Sequence, residues 1–248
     1  MKRVTFAFAA LLAGVVPAMA MDMGGSASEA APFGPPVMDD HVWYHGLLDQ
    51  FEGRIGSGNA FHWEGEGWAG TDSNRVWFKT EGEVDGQGVM EEGRYELLYS
   101  RPITSFFDIQ GGIRTDADSH VGRNWLALGV EGLAPLFFHL SATAYASSDG
   151  RFAGRVEGSY DLLLTQRLVL SPEVELNFYS KADPARAIGT GLSSLDAGLR
   201  LRYEITRKFA PYVGLAYEQA MGETAAIMRA GGAPTSSLRF AFGLRAWL

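Results

Sequence analysis

The sequence predicts an all-β chain, a transmembrane antiparallel up-and-down β-barrel of about 12 strands around a polar lumen. Three observations carry this expectation. Residues alternate between apolar and polar in one segment after another. The segments run about 9 to 13 residues, close to the roughly 9 to 11 that a tilted membrane strand needs. The chain also opens with an export signal. LSPEVELNFYSK (170–181) displays the pattern in one stretch. Leu170, Pro172, Val174, Leu176 and Phe178 fall on one side of a strand, with Ser171, Glu173, Glu175, Asn177 and Tyr179 on the other.

Taken in order, residues 1–20, MKRVTFAFAALLAGVVPAMA, place Lys2 and Arg3 before an apolar stretch that ends in Ala18-Met19-Ala20. That is the layout of a secretory signal with a small-residue cleavage site, and it is too short for a spanning helix. Residues 21–45 read as a short, flexible periplasmic leader rich in small residues and Pro. The barrel is expected over 46–248, with strands near 47–55, 60–70, 75–84, 92–100, 105–115, 123–133, 136–147, 151–163, 168–180, 192–204, 211–219 and 237–248.

One face of these strands is apolar, for example Val76 and Phe78, Leu126, Leu128 and Val130, and Leu238, Phe240 and Phe242. Its only charge is expected to be Asp49. The other face carries a lumen charge network: Lys79, Glu81, Glu83, Arg94, Glu96, Asp108, Arg114, Arg155, Glu157, Glu173, Glu175, Asp196, Arg200, Arg202, Glu204, Arg239 and Arg245. Register is set by cost, because an Arg or Lys facing the bilayer midplane is unfavourable by about 2–4 kcal/mol. A soluble sandwich alternates too, but strand length, Tyr and Trp near strand ends and the export signal favour lipid. An even strand number puts both termini at one side, the periplasm. The two longest connections, KADPARAIGTGLS and MGETAAIMRAGGAPTSS, then become extracellular loops.

Composition limits the partners. The chain has 21 Lys plus Arg against 29 Asp plus Glu, a net charge of −8. Losing residues 1–20 makes it more acidic, which disfavours nucleic acid and favours cations. Cys is absent, so packing and hydrogen bonds must hold the fold. A monomer is expected, with outer-membrane lipid and the barrel assembly machinery as partners.

Six blocks carry a resemblance: GWAGTDSNRVWFKTEGE (67–83), LYSRPI (98–103), GLAPLFF (132–138), YDLLLTQRLVLSPEVELNFYSK (160–181), LDAGLRLRYEITRKFAPYVGLAYE (195–218) and GLRAW (243–247). They are similar to copper resistance protein B of bacterial outer membranes, over nearly all of the chain after residue 35. The resemblance implies an outer-membrane barrel of a copper-resistance system that binds copper or moves it, with a soluble periplasmic copper carrier or oxidase as partner. Copper, as Cu+ or Cu2+, enters as cargo with no catalytic role. Two departures stand out: the leader is poorer in Met and His than is common in that family, and the last residue is Leu248 where barrel substrates usually end in an aromatic.

Thioether sulfur suits copper(I), and imidazole or carboxylate suits copper(II). Met21, Met23, Met38, Asp39, Asp40, His41 and His45 are therefore the leader candidates. The competing reading is an ordinary polar entry to the first strand. His62, Glu64 and Glu66 share one face of the second strand, but alternate residues lie about 7 Å apart, so neighbouring strands would have to complete any site. A solvated, ion-paired lumen wall is the other reading of these three. Met221 and Met228, in the last long loop, could capture metal outside. His139 and Ser141 both face inward, the wrong side for a lipid-acting enzyme, and no catalytic residue is expected.

Overall fold

The structure is a computed structural model and describes residues 41–118 and 122–248. The expected signal and the leader up to residue 40 lie outside the described residues, and with them Met21, Met23, Met38, Asp39 and Asp40.

The first eight strands are β1 (Trp43–Gly56), β2 (Ala60–Gly70), β3 (Arg75–Asp85), β4 (Met90–Pro102), β5 (Phe107–Asp116), β6 (Arg123–Ala134), β7 (Phe138–Ser147) and β8 (Phe152–Ser159). The two-residue β9 (Leu162–Leu163) precedes β10 (Leu168–Tyr179), β11 (Gly191–Tyr203), β12 (Phe209–Ala220) and β13 (Ser236–Trp247). Each long strand pairs antiparallel with the next, and β13 returns to β1 with Leu47 opposite Trp247 and Gly56 opposite Arg239. The sheet is therefore a closed 12-strand barrel with β9 as an extension of β8. Closure leaves no unpaired backbone edge, the condition for a sheet in hydrocarbon.

Strand limits follow the alternation closely, with two differences. Strand β1 starts at Trp43, upstream of the expected 47. The segment expected as 151–163 is split after Ser159. Pro172 on β10 explains the split: its carbonyl accepts from the Tyr160 N–H at 3.1 Å, but its ring nitrogen has no hydrogen to return.

Burial is inverted relative to a water-soluble protein. Phe78, Leu97, Leu126, Leu128, Phe240 and Phe242 are exposed, whereas Glu52, Glu83, Arg94, Arg114 and Arg200 are buried. Apolar surface in water costs roughly 25 cal/mol per Å2, so such an exterior requires a lipid solvent. The soluble sandwich is thereby excluded.

The expectation that Asp49 sits on the apolar face is corrected by a β-bulge. Pairing of β1 with β2 shifts between Leu48 and Gln50, and its pairing with β13 shifts between Leu48 and Glu52. The extra residue reverses the alternation. Asp49 therefore joins the lumen wall, where Arg245 Nε lies 2.5 Å from its carboxylate. Beyond the bulge Gln50, Glu52 and Arg54 are buried, and Phe51 pairs with Trp63 across the apolar side.

On the β3–β7 side the lumen is filled by Trp77, Leu98, Trp125, Ala127 and Tyr145. The Arg114 guanidinium lies 4.6 Å from the Tyr145 ring and 5.9 Å from that of Trp125. The cation thus rests on aromatic faces instead of free water.

Short turns and both barrel termini occupy one end. Longer connections occupy the other, including the helix α1 (Gly222–Ala230) between β12 and β13. The three-residue β6–β7 turn, Pro135 to Phe137, places Leu136 and Phe137 at φ 68° and 64°, the left-handed conformation that favours Gly or Asn.

Candidate functional site

Inward charges sort into linked groups across the lumen. Arg200 on β11 reaches Glu52 on β1 (3.0 Å), Glu173 on β10 (2.9 Å) and the Gln50 side chain (2.5 Å). Arg54 pairs with Glu52 and Glu83, both at 2.8 Å, and with Glu218 at 3.3 Å. Arg239 joins Glu83 at 2.6 Å and also Glu218. A second group centres on Glu81, which takes Arg94 at 3.0 Å and, from β8 across the barrel, Arg155 at 2.6 Å. Arg155 also holds Glu175 at 2.6 Å and Glu157 at 3.5 Å.

Together these pairs form a charged partition. On the loop side lies a cavity of about 430 Å3, and toward the turns one of about 290 Å3. Glu64, Glu81, Arg94, Glu173 and Arg200 border both. Below the partition Lys79 pairs with Glu131 and lies 3.8 Å from Glu66, while Arg202 holds Asp161 at 2.5 Å and Glu204 at 4.0 Å. Nearer the walls, Arg75 meets Asp108 at 3.2 Å, Arg114 meets Asp116 at 2.7 Å, and the Tyr145 hydroxyl donates to Glu96 at 2.9 Å. Asp196 accepts from Ser194 at 3.0 Å.

The loop-side cavity is roofed. The β10–β11 connection crosses that mouth, with Arg186 3.0 Å from Asp118 and 3.8 Å from Asp116. The buried Asp183 pairs with the partly exposed Arg123, and Arg151 donates to the Ala182 carbonyl at 3.2 Å. Helix α1 is stitched to this strap. The Thr224 hydroxyl accepts from the Gly189 N–H at 2.8 Å, and Glu223 accepts from the Thr190 N–H at 2.7 Å and its hydroxyl at 2.5 Å. Both Thr190 donors hold the exposed Glu223 carboxyl below the usual carboxylate range. Met228 lines the cavity under the roof, and Met221 precedes the helix at its N-cap.

The second-strand candidates face inward on β2 but separate into different contacts. His62 Nδ1 lies 3.7 Å from Glu83, Glu64 accepts from Gln50 at 2.7 Å, and Glu66 faces Lys79. No group of three or more His, Cys, Asp or Glu able to hold a metal ion occurs among the described residues. At the turn end His41 packs on Trp43, with ring centres 4.5 Å apart, and His45 packs between Trp68 and Trp247. His45 Nδ1 is 3.1 Å from the Leu248 main-chain oxygen, which can only accept, so Nδ1 carries the hydrogen and Nε2 is the ring nitrogen left outside this contact. His139 Nε2 is 3.8 Å from Glu131, and among the described residues no hydrogen bond joins it to Ser141.

Sequence reading passed over Gln50, Glu52 and Arg54, the innermost members of the partition. Their own alternation was a usable signal, masked by Asp49 at the opposite parity. Glu131 and Asp161 were passed over as well, each standing alone at a strand end.

The family model described as "Copper resistance protein B precursor" matches residues 42–248. The "Copper resistance protein B" of Escherichia coli is 39% identical over 215 residues, covering 86% of this chain and 72% of that protein. The "Copper resistance protein B homolog" of Pseudomonas syringae pv. tomato is also 39% identical over 215 residues, covering 86% and 73%. Among solved structures the NanC porin superposes with a TM-score of 0.54 at 13% identity, over 82% of this chain and 99% of that one, a likeness of fold. With a closed, inside-out barrel and this match running through it from before the first strand to the last residue, the chain belongs to the copper resistance protein B family of outer-membrane proteins.

Proposed function

We propose that this protein contributes to copper resistance in the outer membrane by binding copper ions at the turn end of the barrel, where the leader enters β1. The observation that carries this reading is His45. Its Nδ1 is committed to the Leu248 main-chain oxygen, which orients the ring and leaves Nε2 as an imidazole donor, the arrangement that fixes a metal-binding tautomer. His41 is exposed four residues earlier in the chain, and Met21, Met23, Met38, Asp39 and Asp40 of the leader supply the thioether and carboxylate donors that copper in either oxidation state prefers. The described residues hold no complete site alone, so the leader must complete it.

Movement of copper through the barrel would require the partition to rearrange, since Arg155 joins β8 to β3 and Arg200 joins β11 to β1 across the lumen between the two cavities. That closure weighs against a general open pore. On this reading the termini face the periplasm, where a soluble copper carrier or oxidase would exchange copper with the leader.

The test is copper stoichiometry of the refolded barrel with and without residues 21–45, together with a Met38→Ala, His41→Ala, His45→Ala variant. Bound copper is expected to fall in both, with conductance to common ions unchanged. Undiminished copper in both proteins, or high conductance to many ions regardless of these changes, would replace this reading with that of a porin.

A further inference from the structure

We infer that the turn end of the barrel carries a binding patch for the phosphate headgroup of an anionic phospholipid, formed by Arg167, Arg207 and Lys208. The two turns that supply these residues are tied together. The Glu204 N–H of the β11–β12 turn donates to the Arg167 carbonyl of the β9–β10 turn at 2.8 Å. Trp247 then locks the second turn in place, its indole N–H donating to the Arg207 carbonyl at 2.6 Å and its backbone N–H to that of Lys208 at 3.2 Å. Three cations thus sit on one joined stretch of rim instead of being scattered around it.

All three side chains are exposed, and among the described residues none has an ion-pair partner. The carboxylates nearest in the chain are already taken. Asp161 is held by Arg202 at 2.5 Å, and Glu204 lies 4.0 Å from the same guanidinium. The patch therefore keeps its positive charge, and Lys208 is steadied over the Trp247 ring at 5.3 Å.

Chemistry next to the cations selects a lipid over a free anion. Leu163 at the end of β9, Leu164 in the turn that follows it and Ile205 in the other turn are exposed at 71%, 55% and 53%. A basic cluster bordered by apolar side chains at a membrane boundary matches an anionic headgroup above acyl chains. Each basic residue at such a surface is worth roughly a fivefold preference for anionic over neutral lipid.

The test uses the full chain refolded in a neutral detergent and offered an equal mixture of phosphatidylglycerol and phosphatidylcholine, with retained lipid counted by native mass spectrometry. Wild type is expected to retain the anionic lipid in several-fold excess, and the Arg167→Gln, Arg207→Gln, Lys208→Gln variant to lose that excess. Heat-modifiability on gels confirms that the variant has folded. A Lys181→Gln, Arg229→Gln variant at the opposite mouth keeps the preference. An unchanged ratio in the triple variant, an equal loss in the loop-end variant, or displacement of the lipid by inorganic phosphate would each overturn the assignment.

Discussion

Arg200 on β11 and Glu52 on β1 meet at 3.0 Å inside the barrel although β12 and β13 lie between their strands around the wall. Glu52 is 0% exposed and also holds Arg54, so one carboxylate anchors two guanidiniums. Removing one member of a buried pair leaves the others uncompensated, at a cost of about 3–5 kcal/mol. Glu52→Gln should lower the unfolding free energy of the lipid-embedded barrel by an amount in that range and raise its single-channel conductance. A variant as stable and as tightly closed as wild type would show that the partition is not held by this pair.

The exterior makes a second expectation quantitative. Leu128 is 61% exposed on β6 and faces the hydrocarbon. Leu128→Arg should therefore destabilise the barrel in bilayers by about 2–4 kcal/mol if it lies at the midplane. Leu128→Ala should cost less than Leu128→Arg. Equal unfolding midpoints for the two would contradict a lipid-facing position.

At the turn end, Leu136 and Phe137 occupy left-handed backbone that neither residue favours. Leu136→Asn with Phe137→Gly should stabilise the barrel by about 1 kcal/mol, because Asn and Gly adopt left-handed backbone at lower cost than Leu and Phe. Equilibrium unfolding in urea checks the sign.

Arg186 fastens the strap to Asp118 and Asp116. Met228 lies in the cavity beneath, in a chain without cysteine. In a Met228→Cys background, Arg186→Ala should speed labelling by a bulky maleimide added from the loop side. Equal labelling rates with and without Arg186 would mean that the strap does not control entry.

The Glu223 to Thr190 contact gives a pH dependence of defined sign. Its folded carboxyl titrates below the ordinary range, so the contact is fully present above the unfolded value and is lost as pH falls through the folded one. Hydrogen exchange of the Thr190 amide should accelerate, relative to the intrinsic rate, on acidification below about pH 4. Glu223→Gln should remove that acid step.

Most strand positions and the two faces were legible from alternation, and strand length, Tyr and Trp near strand ends and the expected export signal pointed to the membrane as solvent. The periodicity is local, and the penalty for a charge in hydrocarbon leaves one admissible register for strands such as β10 and β11. Copper was not legible that way: only the resemblance of blocks such as 160–181 pointed to it. Of the site candidates, His45 was visible as a residue type, but its committed Nδ1 depends on meeting Leu248, 203 positions away.

What the sequence by itself determined is therefore an inside-out barrel and many of its inward charges, though not Asp49, Glu52 and Arg54 around the bulge of β1. Tertiary structure decided which carboxylate each guanidinium takes, that a bulge turns Asp49 inward, that Trp77, Trp125 and Tyr145 pack into one cluster on the β3–β7 side, and that a strap and a helix roof one mouth. The physical reason is range. Facing is set by neighbours two residues apart, whereas a pair such as Arg155 and Glu81 exists only once closure brings β8 opposite β3.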